Sequence, residues 1–306
     1  MTALEDKLGR YCKPSSDHEQ TKQDRAERMV RNAVEAWKVD HEDVRITYVP
    51  KGSYANNTNV RQDSDVDIAV VRTDFYYFDA SDLHENDKEA GSGQIFPLEG
   101  IAFRNSLAQS LKARFGSDCD TTGSTAIELI ENSGRVSADI VPSFSFRKCY
   151  YDAYGRVAYH SGQKVFKIDG SSVINYPLQQ LENGRAKNNA TSKRYKKLVR
   201  ILKRAENDLV AAGRIKELPS YFMECLMYRV PNDHFNHLSD TPLTDDLTSA
   251  IAYIWSATRE GGDALEWLEP NEIKPLFGSG QKWTMAEANA LMLEVWTLFD
   301  LKAESN

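Results

Sequence analysis

The order of apolar and polar residues divides the chain into two parts with different periodicity. Before about residue 176, short runs rich in β-branched residues end in turn-forming segments, which is typical of strands. From about Pro177 onward, apolar residues recur at helical spacing. Strands followed by helices predict an α+β protein with two lobes and a ligand site in the cleft between them. We predict the lobes at residues 1–176 and 177–306.

Individual elements follow from the same spacing. A helix is predicted from a capping box at Ser16 toward Lys38, packing back on the first lobe, and another at Leu98–Phe115. Residues 79–94 are rich in Gly, Ser and Asp and predict a mobile loop. The predicted strands are Val44–Val49, Asp65–Val71, Thr125–Ile130 and Arg135–Val141, with a hairpin formed by Arg156–His160 and Lys164–Ile168. The predicted helices of the second lobe are Ser192–Ala212, Ser220–Val230, Leu243–Thr258 and Thr284–Leu301.

Composition adds limits on the class of protein. Of the 306 residues, 41% are apolar and 27% charged, which is typical of a folded globular protein. The sequence contains no apolar run long enough for a bilayer and no apolar signal segment, so we expect a cytoplasmic protein without a membrane partner. A formal net charge of −7 argues against nucleic acid as a partner. The cysteines lack a CxxC pair and are expected to be free thiols; they are Cys12, Cys119, Cys149 and Cys225.

Three aspartates in or beside predicted strands are the strongest candidates for chemistry. Asp65 and Asp67 alternate with Val66 and Ile68, so both carboxylates lie on one face of a strand. A third aspartate, Asp139, lies inside another apolar run. If the two strands are neighbours, the carboxylates converge at one edge of the sheet. Hard oxygen ligands of this kind suit Mg²⁺ and a two-ion phosphoryl-transfer site.

Gly52 and Ser53 precede these aspartates and are candidates for holding a phosphate. Glycine lets the backbone approach a phosphate closely, and the serine hydroxyl is a further donor. Alone, a Gly-Ser pair is usually a turn, and an Asp-x-Asp pair is usually a strand-end or surface feature. Their combination with a third aspartate is far more specific, and it favours a catalytic site.

These segments carry a resemblance to a known family. GSYANNTNVRQDSDVDIAVV resembles the signature of the polymerase-beta-like nucleotidyltransferase superfamily, and in particular the bacterial cGAS/DncV-like nucleotidyltransferases (CD-NTases), relatives of oligoadenylate synthase. The resemblance continues through ADIVP, KNNATSKRYKKLVRILKRAEN and PSYFMECL. It implies a polymerase-beta-like lobe with a mixed sheet, a C-terminal helical lobe and an active site in the cleft between them.

The same resemblance implies an activity and its partners. Such enzymes condense nucleoside triphosphates (ATP, with UTP, GTP or CTP as further candidates) into a cyclic di- or trinucleotide in antiphage (CBASS) signalling. An effector then acts through the product, and a regulatory protein partner is a further expectation. By position, Asp65 and Asp67 would ligate two Mg²⁺ ions, with Mn²⁺ able to substitute. Asp139 would ligate one ion and help to deprotonate the attacking ribose hydroxyl.

The second lobe supplies candidates for nucleotide binding. In a basic helix, the resemblance favours Lys203 as a contact to triphosphate, although most basic residues there are expected to form a solvated face. It also assigns Ser220 to triphosphate and Tyr221 to base stacking; ordinary helix capping and core packing are the alternatives. Asn188 is a candidate for base recognition or simply a turn residue.

Two residues and two other functions complete the predictions. Arg61 and Asp63 are expected to order the loop before the metal-binding strand. The same metal motif occurs in nucleotidyltransferases that modify a small molecule, a protein or an RNA end. A non-catalytic nucleotide-binding module is the third possibility, although all three aspartates are present.

Overall fold

The computed structural model describes residues 2–14, 17–60, 65–88, 94–235 and 242–302. These residues form two compact units. The sheet unit comprises the described residues of Ser16–Tyr54 and Gln62–Leu178, and the helical unit comprises those of Met1–Ser15, Ala55–Arg61 and Gln179–Asn306.

Helices and strands are numbered along the chain. The α-helices are α1 (Ala3–Tyr11), α2 (Asp17–Lys38), α3 (Gly52–Ala55), α4 (Ile101–Phe115), α5 (Pro177–Ala190), α6 (Arg194–Ala211), α7 (Ser220–Arg229), α8 (Leu243–Thr258) and α9 (Met285–Leu298). The strands are β1 (Ile46–Lys51), β2 (Val66–Asp79), β3 (Cys119–Asp120), β4 (Ile127–Leu129), β5 (Ala138–Tyr151), β6 (Val157–Phe166) and β7 (Ser172–Asn175).

The strands form one mixed sheet. Its order is β1-β2-β5-β4-β3, and β6 joins β5 farther along the strand and pairs with β7. β2 and β5 are parallel, whereas the other pairs are antiparallel. Alternation along the strands gives the sheet one apolar face, which packs against α2 and α4 through Val34, Phe103, Ile68, Ile140 and Phe144. The opposite face carries polar side chains such as Asp67 together with a small buried apolar cluster of Val49, Ala69 and Val71.

The predicted hairpin at residues 156–168 is wrong, because this segment is mostly the single strand β6. Gly162, at the predicted turn, pairs with Phe146 in the middle of the β5–β6 ladder. A Cβ at Gly162 would lie 2.9 Å from Cε1 of Tyr176. The glycine therefore permits close packing of that ring on the strand, rather than a reversal of the chain.

The helical unit has its own core, formed by helices α6 to α9. Leu8 of α1 is fully buried in this core. The carboxylate of Glu5 accepts backbone hydrogen bonds from Leu243 (2.7 Å) and Thr244 (3.1 Å) at the start of α8. These contacts place the N-terminal residues with the helical unit, whereas the predicted first lobe comprised all of residues 1–176. Within the described residues, no helix combines the length and apolarity needed to span a membrane.

Candidate active site

The parallel pairing of β2 and β5 brings two of the predicted aspartates together. Their register sets Asp67 directly beside Asp139. Neighbouring strands lie about 4.8 Å apart and directly paired residues share a face, so the two carboxylates are neighbours. Asp65, just before β2, is exposed, and it accepts a hydrogen bond from the hydroxyl of Ser137, just before β5. The start of these two strands therefore carries all three aspartates.

Glu128 extends this row of carboxylates across the sheet. It pairs with Asp139 in the antiparallel β4–β5 ladder. The pKa of Asp139 is raised to about 6, first by burial and then by the negative charges of Asp67, Asp65 and Glu128. Like charges held together in a partly buried place are relieved by a cation, and carboxylate oxygens are suitable ligands for Mg²⁺. The donor set therefore fits divalent ions, although the described residues include no ready-made group of three His, Cys, Asp or Glu ligands.

Gly52, directly after the neighbouring strand β1, lies against the Asp67 carboxylate. Lys51, the last residue of β1, pairs with Asp67, and the chain then turns into α3. Gly52 has φ +68°, and a Cβ built on it would lie 1.8 Å from Oδ2 of Asp67. Only glycine leaves room for this carboxylate while adopting this backbone conformation. Ser53 follows and is half-buried.

Lys203, in the helical unit, contacts other side chains of the protein. Its side chain is only 3% exposed, and its ammonium group donates to the Thr58 hydroxyl at 3.2 Å. The same hydroxyl donates to the buried carboxylate of Glu224 at 2.9 Å. Lys203 therefore stabilises the segment that follows α3 inside the helical unit.

Lys196, two turns earlier on α6, differs from Lys203. It is half-buried, and its ammonium group has no hydrogen-bond or ion-pair partner among the described residues. Burial lowers its pKa to about 8; the charge of Glu224 opposes this effect, and Arg185 and Arg200 add to it. A partly desolvated cation of this kind is suited to an anionic group.

The other predicted nucleotide-binding residues also lie in the helical unit. Ser220 is exposed in the first turn of α7. Tyr221 is half-buried, donates to Glu269 at 3.2 Å and packs edge-on against Trp283. The side-chain oxygen of Asn188 accepts a hydrogen bond from the backbone of Lys196 at 3.2 Å, so this amide helps to join α5 to α6. Its role in base recognition stays a prediction.

The predictions omitted several residues of this site. Ser137 and Asp139 are two residues apart, so strand alternation alone would have placed the serine on the carboxylate face. Glu128 lies in a strand that was predicted, but the pairing of this strand with β5 was not. Arg61 and Asp63 lie outside the described residues.

A mixed sheet with aspartates on adjacent parallel strands beside a glycine turn is the arrangement predicted for a nucleotidyltransferase. Comparison with known proteins identifies the family. A profile of the cGAS/DncV-like nucleotidyltransferase C-terminal helical domain matches residues 182–300. CdnE of Legionella pneumophila, a cyclic dipyrimidine nucleotide synthase, is 35% identical over 291 residues, which are 94% of this chain and 95% of that protein.

Two further comparisons agree. The cyclic dipyrimidine nucleotide synthase CdnE of Cecembia lonarensis is 35% identical over 295 residues, 95% of this chain and 97% of that protein. The structure of the Elizabethkingia meningoseptica CdnE cyclic dinucleotide synthase with GTP and Apcpp matches with a TM-score of 0.76 at 28% identity, covering 96% of this chain and 98% of that chain. The chain belongs to the cGAS/DncV-like nucleotidyltransferase family. The predicted fold class and enzyme class are thereby confirmed.

Proposed function

We propose that this protein condenses nucleoside triphosphates into a cyclic di- or trinucleotide and releases pyrophosphate. The observation that carries the proposal is the register of Asp67 beside Asp139, with Asp65 at the same end of the strands and Gly52 against Asp67. Each linkage forms when a ribose hydroxyl oxygen attacks an α-phosphorus and the bond to the leaving pyrophosphate breaks. The same reaction between the two ends of the linear intermediate closes the ring.

Asp65, Asp67 and Asp139 are the proposed ligands of two divalent cations, Mg²⁺ or Mn²⁺. Such ions, when bound, stabilise both the attacking and the leaving oxygen. Asp139 also takes the proton of the attacking hydroxyl; its burial beside other carboxylates favours proton uptake. Ser137 orients Asp65 through its hydroxyl group. Because Gly52 has no side chain, the Asp67 carboxylate can occupy the space beside it.

Triphosphate binding is proposed for Lys196 and Ser220, and stacking on a base for Tyr221. Lys196 is a better candidate than Lys203, because the Lys203 ammonium group is buried on Thr58 whereas that of Lys196 has no partner in the described chain. The exposure of Ser220 in the first turn of α7 supports its assignment.

We further propose that at least one substrate is UTP or CTP. Both CdnE relatives at 35% identity are named cyclic dipyrimidine nucleotide synthases, and each aligns over nearly the whole chain. The biological setting that we propose is antiphage signalling, in which an effector binds the product. A regulatory protein partner remains part of that prediction.

The test is incubation with all four ribonucleoside triphosphates and Mg²⁺ or Mn²⁺, followed by phosphatase treatment and mass spectrometry. A phosphatase-resistant product with the mass of a cyclic oligonucleotide is expected, and its mass identifies the bases. Pyrophosphate release without such a product would instead indicate another acceptor. Nucleotide binding with no pyrophosphate release under any metal would indicate a binding module.

A further inference from the structure

A buried carboxylate, that of Glu269, lies against the tyrosine that is proposed to stack on a base. Glu269 is 5% exposed. Its Oε2 accepts hydrogen bonds from the Tyr221 hydroxyl at 3.2 Å and from the Asn271 amide at 2.8 Å. Its Oε1 accepts one from the Gln281 amide at 2.9 Å and lies 3.8 Å from the ammonium group of Lys274. Both oxygens are therefore hydrogen-bonded, and a cation lies close to the buried charge.

The partners of Glu269 require a carboxylate at this position and do not accept an amide in its place. The Asn271 side-chain oxygen accepts two backbone N–H groups of its own loop, each at 2.9 Å, so its NH₂ group has to face Glu269. The Gln281 NH₂ group also donates to the carbonyl oxygen of Pro275 at 2.8 Å, which fixes that amide in the same way. An amide nitrogen at either end of residue 269 would therefore set one N–H group against another.

These contacts restrain the ring of Tyr221, which is half-buried. Its ring centre lies 6.3 Å from that of Trp283, with an angle of 66° between the two planes. Trp283 is itself fixed, because its indole N–H donates to the Leu276 carbonyl oxygen at 2.9 Å and its ring stacks on Phe222. Tyr221 is thus held at its hydroxyl by Glu269 and at its ring by Trp283. A ring that is oriented before the ligand arrives loses less conformational entropy on binding.

We propose that Glu269 is a positioning residue for base binding: through the hydroxyl of Tyr221 it holds that ring in the orientation in which the ring stacks on the base of a nucleoside triphosphate. This role rests on the proposed function, in which Tyr221 stacks on the base and the preceding residue, Ser220, binds the triphosphate. Stacking of this kind accepts any of the four bases, because each base has a π face. Glu269 therefore affects only the part of the affinity that the base contributes.

A small set of variants separates this role from a purely structural one. Tyr221→Phe keeps the ring and removes the hydroxyl, and it leaves Glu269 bonded to its amide partners. Glu269→Gln disturbs the same contact from the other side, and the double variant shows whether the two act through one bond. Tyr221→Ala removes the ring. The matched control is Tyr48→Phe in the sheet unit, since Tyr48 is also half-buried and its hydroxyl donates to Glu35 at 2.8 Å.

The experiment is titration calorimetry on the full-length protein with non-cleavable α,β-methylene analogues of the four nucleoside triphosphates and of base-free ribose 5-triphosphate. The ratio of the affinity for a nucleotide to that for the base-free ligand measures the contribution of the base. We expect a ratio of at least about 10 in the wild type and close to unity in Tyr221→Ala. Tyr221→Phe and Glu269→Gln should each lower it about fivefold, the equivalent of one hydrogen bond, and the double variant should lower it no further.

The base-free ligand reveals a structural effect, because a disturbed helix α7 would weaken its binding as well. We expect the affinity for this ligand to stay unchanged in Tyr221→Phe and Glu269→Gln, and Tyr48→Phe to bind every ligand as the wild type does. An equal loss for the base-free ligand would overturn the inference, and so would a wild-type ratio in Tyr221→Phe. A further fall on adding Glu269→Gln to Tyr221→Phe would show that Glu269 acts by another route.

The outcomes also distinguish this inference from the proposed function. If cyclic product forms but the ratio is the same in the wild type and Tyr221→Ala, the positioning role is wrong and the synthase activity stands. If no product forms but the ratio depends on Tyr221 and Glu269 as expected, base positioning stands and the proposed synthase activity fails. Should Glu269→Gln not fold, Tyr221→Phe still decides, because it removes the same hydrogen bond.

Discussion

Replacing Gly52 by alanine perturbs the site at a single atom, because the added Cβ would lie 1.8 Å from Oδ2 of Asp67. A Cβ needs at least 3.0 Å of clearance, so the carboxylate has to move by about 1.2 Å, the difference between these two distances. A misplacement of about 1 Å at a reacting centre can reduce the rate by about 100-fold. We therefore expect kcat to fall by about two orders of magnitude.

The backbone contribution can be removed with a matched control. Gly52 has φ +68°, a conformation that costs an L-residue about 1–2 kcal/mol. Gly155 has φ +73° with nothing within 4 Å of its added Cβ, so Gly155→Ala carries the same strain without the clash. Both variants should therefore lose a few degrees of melting temperature.

The assay is pyrophosphate release with saturating triphosphates and Mg²⁺, alongside thermal denaturation of each variant. We expect Gly155→Ala to retain near-wild-type activity. If Gly52→Ala were as active as Gly155→Ala, the space around the Asp67 carboxylate would not limit turnover, and its assignment as a precisely positioned ligand would be refuted.

Three further substitutions test the other groups of the site. Asp139→Asn should abolish pyrophosphate release. It should nevertheless raise the melting temperature in EDTA at pH 8, because it removes a partly buried negative charge beside other carboxylates. A lower melting temperature would contradict the inferred repulsion between these carboxylates. Ser137→Ala should raise the Mg²⁺ concentration for half-maximal activity by about 10-fold, because Asp65 loses its orienting hydrogen bond; an unchanged Mg²⁺ titration would rule this out. Lys196→Met should raise the KM for triphosphate by about 10-fold with little loss of stability. Lys203→Met should mainly lower the melting temperature, because the Lys203 ammonium group is buried on Thr58. Steady-state kinetics and thermal denaturation of both variants decide which lysine binds triphosphate.

Asp65 and Asp67, two of the proposed catalytic residues, could be identified from the sequence because their signal is local. Asp65 and Asp67 lie two residues apart within an apolar alternation, and this alone sets them on one face. That Asp139 lies beside Asp67 depends on the parallel register of two distant strands. The register of β2 and β5 cannot be read from spacing along the chain, so the pairing of Asp67 with Asp139 could only be assumed from the sequence.

Two other elements were mispredicted or missed because they depend on tertiary contacts. The strand was predicted to end at Val71, but β2 continues through Arg72 to Asp79. Arg72 is fully buried and is satisfied by Asp74 (2.5 Å) and by the carbonyl oxygens of Pro97 and Leu98. Helix α1 was not predicted, since a helix of 9 residues is marginal without packing and Leu8 finds its contacts only in the helical core.

The packing of α1 has a consequence for the order in which the chain can fold during synthesis. Tyr11 lies against Phe299, and Leu8 is buried in a core completed by α8 and α9. At about 5–20 residues per second, Tyr11 is synthesised on the order of 15–60 s before Phe299. During that interval α1 can contact α6 and α8 once these helices have been made, but not yet Phe299. The core around α1 is therefore completed only after α9 and Phe299 have been synthesised.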